Sequence, residues 1–125
     1  MKIFELSKIW DLFGASLSSM CLLHCLLTPL VVASFPALSH FSESHLVHTL
    51  FVVLAAPVTL WVVWNAVTHG ERNFVFITAA LTGLAFMISA VMISALEHVE
   101  LEVTLIGATL LGSAHLWRWF QHSPE

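Results

Sequence analysis

The sequence predicts an all-α integral membrane protein, four transmembrane helices packed as one bundle and joined by short loops. Three observations predict it. Hydrophobic residues make up 58% of the 125 residues and charged residues 10%, against roughly 45 to 50% and about 25% in soluble domains. The apolar residues gather into four runs of the length, about 20 residues, that a helix needs to cross a bilayer. The few charges fall mostly at or beyond the ends of those runs. A net charge of −4 spread over loop ends offers nothing to nucleic acid, so the expected partners are the lipid bilayer and an ion.

The first span covers about 10–37. A cleavable signal peptide has a shorter apolar core and a small-residue cleavage site, so this span is expected to be retained. The others run over about 47–68, 74–96 and 102–121, with Pro57 expected to bend the second. The connectors are too short to hold a further domain, which makes residues 1–125 a single unit. Lys2 and Lys8 precede span one, Arg72 lies between spans two and three, and Arg118 ends span four. By the positive-inside tendency both termini and the 69–73 loop are cytoplasmic. Trp10, Trp117 and Trp119 stand at span ends, where interfacial tryptophans belong.

Each span carries a small or polar stripe. In span one it is Asp11, Gly14, Ser18, Cys21, Cys25 and Thr28; in span two His48, Ala55, Thr59 and Ala66. Span three offers Ala79, Gly83, Ala90 and Glu97, and span four Thr104, Ala108, Gly112 and His115. Small faces let helices approach closely in lipid, so the stripes should face inward and the cysteines with them.

Chemistry concentrates in Cys21-Leu22-Leu23-His24-Cys25 and the proline that follows, Pro29. Residues four apart share a helix face with Cβ atoms about 5 to 6 Å apart, so Cys21 and Cys25 point the same way with His24 at the edge of that face. That spacing is too wide for an unstrained disulfide. Pro29 cannot donate to the carbonyl of Cys25, which frees an acceptor nearby. Soft sulfur with borderline nitrogen favours zinc-, copper(I)- or mercury-class ions over magnesium or calcium. Three donors do not close a tetrahedral site, so a transient or linear two-thiolate site is expected. Packing is the competing reading of a membrane cysteine, set against the rule that ionisable groups inside a span default to function. His115 reaches a similar depth in span four. It is either a fourth ligand or relay, or a histidine hydrogen-bonded to a neighbouring helix, for example at Ser18 or Ser19.

Eight histidines against four lysines and arginines is the oddest feature of the composition, and histidine is a common metal ligand. His40, His45 and His48 with Glu43, and Glu97 and His98 with Glu100 and Glu102, are expected to form an outward-facing collar that gathers divalent cations. On the opposite side His69, Glu71, Glu5 and Asp11 are candidates to receive an ion. No Walker loop, nucleophile elbow or HExxH occurs, so neither ATP-driven pumping nor hydrolysis has a residue basis, and no enzyme is expected.

The chain resembles the MerC family of small inner-membrane metal transport proteins. The resemblance rests on Cys21 to Pro29, on the hydropathy from first span to last, and on Ala114-His115 ahead of a basic, aromatic end. It implies a four-helix inner-membrane protein, mercuric ion transport, and a metal-binding pair that falls on Cys21 and Cys25. His24 stands beside the pair as in a histidine-containing branch of the family. Mercury-resistance members carry a second, cytoplasmic cysteine pair that this chain lacks, and with so many histidines zinc or a similar ion is as good an expectation as mercury. A homodimer is consistent with a bundle this small, and a metal donor or acceptor protein would supply or take the ion. Two alternatives stay open from the residues: a haem-binding or redox module with His24, His48, His98 or His115 as axial ligands, and a structural subunit whose cysteines only pack.

Overall fold

The computed structural model describes residues 2–39, 45–71 and 73–121. Four α-helices follow one another: α1 (Lys2–Ser34), α2 (His45–Thr68), α3 (Phe74–Met92) and α4 (Glu100–Gln121). Short 3-10 turns, Pro36–Leu38 and Ser94–Val99, follow α1 and precede α4. All four helical segments are long and apolar enough to cross a membrane, as the four runs predicted.

The ends have local causes. α1 stops at Ser34 because Phe35 precedes a proline, which drives it out of the helical region to φ −136° and ψ 80°. α2 closes on Gly70, whose φ of +75° suits a residue without a Cβ. Gly70 thereby lets the Glu71 amide donate back to Ala66 O at 2.9 Å, a wrapped helix end. Asn73 caps α3, its side chain accepting from the Phe76 amide. Two expected boundaries need correction. α1 begins far ahead of residue 10, because Ser7 and Asp11 are buried against Arg118. Span three ends at Met92 rather than 96: Ile93 is extended at φ −100° and ψ 107°, and the chain turns over so that Glu97 lies in a 3-10 turn instead of the stripe of α3.

Lipid tails are as apolar as leucine, so these helices are held by close packing and polar contacts instead of a hydrophobic gradient. Large side chains such as Leu26, Leu30 and Trp64 point outward, while the small stripes point in. α4 is the central helix, packed against α3 on one side and α1 on the other. At α3–α4 two glycines face each other: a Cβ added at Gly83 would lie 2.8 Å from Gly107 O, and one added at Gly107 would lie 2.7 Å from Gly83 O. At α1–α4 a Cβ on Gly112 would meet the Ser18 Cβ at 2.9 Å. This antiparallel contact continues through Gly14 beside His115 to Ser7 and Asp11 beside Arg118.

Candidate metal centre

Cys21 and Cys25 are free thiols, and both are buried. They lie on the face of α1 that the stripe predicted, each in the core with Ala108 and Leu111 of α4. The group that forms around Cys25 is not the one the local sequence suggested. His24 comes from the same turn, but the third member is His48, from the first turn of α2. One donor atom from each of His24, Cys25 and His48 lies within 4.8 Å of the other two.

Cys25 Sγ is 3.6 Å from His48 Nε2. The other ring nitrogen of His48, Nδ1, is 2.8 Å from Glu100 Oε1 at the start of α4. An ionised carboxylate only accepts, so Nδ1–H donates to Glu100 and a neutral ring then turns an Nε2 lone pair toward the thiol. Carboxylate, imidazole and thiol are thus in line, the arrangement by which outer carboxylates fix the tautomer and angle of a metal-binding histidine. The His24 ring stands edge-on to His48 at 5.6 Å, and its Nδ1 is buried with no hydrogen-bond partner. A buried, unsatisfied nitrogen beside a thiol and a second imidazole is a donor with a free lone pair or proton that a ligand would satisfy. Cys21 lies one turn away on the same buried face of α1. Pro29 lies within α1 and withdraws the donor due to the Cys25 carbonyl.

A cleft of about 710 Å³ opens above this group between the end of α1, the start of α2 and the 90–102 segment. His45, His48, Glu97, His98, Glu100 and Glu102 line it, so the expected collar residues do share one opening. His45 Nδ1 lies 3.2 Å from Glu100 Oε2, which puts two imidazoles on one carboxylate. His40 and Glu43 lie outside the described residues.

His115 is placed elsewhere. Its Nδ1 is 2.9 Å from Asp11 Oδ1 and its Nε2 is 3.4 Å from Thr59 Oγ1, and the residue is fully buried. Thr59 stands 11 residues beyond His48 on α2, about 16 Å along the axis at ~1.5 Å per residue. The structure therefore separates His115 from the Cys25 group by most of a bilayer leaflet. Ser18 Oγ, one expected partner of His115, has no hydrogen bond, and Ser19 Oγ donates to Ala15 O of its own helix. The expected inner acceptors divide: Asp11 and Glu71 both pair with Arg118, while His69, just past the end of α2, donates to Asn65 O and Glu5 is exposed.

Four helices long and apolar enough to cross a membrane, with a cysteine–histidine group between α1 and α2, define a small multi-pass membrane protein. The family comparison agrees. The MerC mercury resistance protein family matches residues 11–120, and the chain belongs to that family, which points to mercury-resistance-related membrane transport. No curated protein and no solved structure matches the chain.

Proposed function

We propose that this protein carries a transition-metal ion across the inner membrane through the His24–Cys25–His48 group, with both termini cytoplasmic and the cleft on the outer face. The observation that carries the reading is the convergence of three soft or borderline donors within 4.8 Å, one of which, His48, also lines a cleft of histidine and glutamate. The ion enters among His45, His98 and the carboxylates, then exchanges onto Cys25 with His24 and His48 as co-ligands. Cys21 is the next sulfur inward and takes the ion or shares it as a thiolate pair. Ligands must give up protons to bind, so loading Cys25 releases its thiol proton to solvent in the cleft while His48, held at Nδ1 by Glu100, keeps Nε2 for the ion. Mercuric ion is the cargo that family membership favours; two imidazoles beside one thiol equally suit zinc. A donor or acceptor protein at either face, and a homodimer, belong to the same reading.

The haem alternative is less well supported: His24 and His48 are in edge-to-face contact, with no slot between them for a macrocycle. The test is elemental analysis of purified protein and of its Cys21→Ser, Cys25→Ser form, after loading with Zn²⁺ or Hg²⁺ and desalting. About one ion per chain, lost in the variant, is expected. An unchanged metal content in the variant would remove the thiols from the mechanism.

A further inference from the structure

Polar contacts cross the bundle from α2 to α4 at three depths. α2 packs along α1 and α3, and α4 packs along the same two helices, so α2 and α4 face each other diagonally across the axis and meet through side chains. At the cleft end His48 Nδ1 lies 2.8 Å from Glu100 Oε1. At mid-depth Thr59 Oγ1 lies 3.4 Å from His115 Nε2. At the other end Glu71, just past the last turn of α2, accepts from Arg118 Nε at 3.1 Å and from Nη2 at 2.5 Å. An ion that reaches the thiols from the cleft has passed the first crossing and has the last still ahead of it.

We propose that the Glu71–Arg118 pair is the inner gate of the transport path, and that α2 is the helix that moves to open it. The proposal rests on the transport reading above. Three observations carry it. This crossing can part without stranding a charge, because Arg118 divides its nitrogens: Nε and Nη2 hold Glu71, while Nη1 holds Asp11 and, at 2.7 Å, Ser7. Its guanidinium also stands 5.0 Å from the centre of the Phe76 ring. When Glu71 leaves, the cation keeps a buried carboxylate, a hydroxyl and an aromatic face. Glu71 is 23% exposed and Asp11 1%, so water takes over the Glu71 carboxylate, and no uncompensated buried charge is left behind. The second observation is that α1 and α4 leave no way between them. A Cβ on Gly112 would meet the Ser18 Cβ at 2.9 Å, and one on Gly14 would meet the His115 ring at 2.8 Å. The path therefore lies on the α2 side of that seam. Finally, α2 is jointed. Pro57 lies inside it and has no amide to donate to the Val53 carbonyl, and helices bend at such positions. The half that ends toward Glu71 can swing while the half that carries His48 stays on Glu100.

The test uses the full chain in sealed membrane vesicles and a charged methanethiosulfonate, a small thiol reagent that does not cross lipid. The reagent is applied to each face in turn, the faces being told apart by protease access to a C-terminal tag, and modification of Cys21 and Cys25 is read by mass. From the cleft face the unaltered chain and Glu71→Gln should label at the same rate, and Zn²⁺ should protect both. From the opposite face Glu71→Gln should label at least about tenfold faster than the unaltered chain, the change expected from losing a charge-assisted contact. Glu71→Asp, which keeps the carboxylate, should recover most of the difference. An unchanged rate from that face in Glu71→Gln overturns the gate while Zn²⁺ protection leaves the metal centre standing. An equal rise from both faces overturns it too, since that marks a general loosening of the bundle. Absence of Zn²⁺ protection from the cleft face removes the metal centre instead, and with it the transport that the gate serves.

Discussion

The two ends of the bundle use the same pair, a histidine held at Nδ1 by a carboxylate, in opposite surroundings. At the cleft end Glu100 and His48 border an opening of about 710 Å³ and face a thiol. At the closed end Asp11 and His115 are 1% and 0% exposed and are tied to a guanidinium. The difference teaches that the pair itself is only an orienting device. Its neighbours differ: at one end the imidazole faces the Cys25 thiol, while at the other the carboxylate is tied to Arg118 and the imidazole meets the Thr59 hydroxyl. In a bilayer the buried pair at the closed end has to be satisfied internally, because lipid offers it no partner.

Substitutions should separate the two ends. The largest effect on the fold belongs to the lock. Arg118→Ala leaves Asp11 and Glu71 without their shared cation, a loss of about 3–5 kcal/mol for a broken buried pair, read as a lower unfolding midpoint in detergent. Ion affinity at Cys25 should be unaltered in the folded fraction. Glu100→Gln does the reverse. Stability should barely move, but metal affinity should fall about 10- to 100-fold, the usual consequence of removing the partner that orients a ligating histidine; competition with a chelator measures it. Gly14→Ala is the finer probe. Its new methyl would overlap the His115 ring at 2.8 Å, and a cost of about 1–3 kcal/mol is expected from such overpacking, again with affinity at Cys25 unchanged. Equal losses of stability and affinity in all three variants would erase the distinction between the ends.

Much of this was legible in the sequence. The four spans, the inward stripes and the burial of both cysteines follow from composition and helical period, and Asp11, Gly14, Ser18, Cys21 and Cys25 are all buried as their spacing required. Helix ends were less legible, since the break at Ile93 sits inside an unbroken apolar run. Long-range pairing was least so. The sequence puts His48 in the outer collar and leaves Glu100 as one carboxylate among several, because their contact spans 52 positions. The available signal was the position of His48 on the same stripe as Ala55 and Thr59, which marks it as inward. In the sequence Arg118 is only a cation that ends span four, for the same reason: its partners at Ser7, Asp11 and Glu71 are distant along the chain. His115 shared a depth with Cys21 on residue counts, but the antiparallel register of α1 and α4 sets it beside Gly14 instead.

X-ray absorption at the zinc edge of the Zn²⁺-loaded, desalted chain tests most directly whether thiol and imidazole act together at the cleft end. A mixed shell is expected, with sulfur at about 2.3 Å and nitrogen at about 2.0–2.1 Å, and the nitrogen component should shrink in His48→Ala. A shell of oxygen alone, or of sulfur without nitrogen, would contradict a site built from His24, Cys25 and His48.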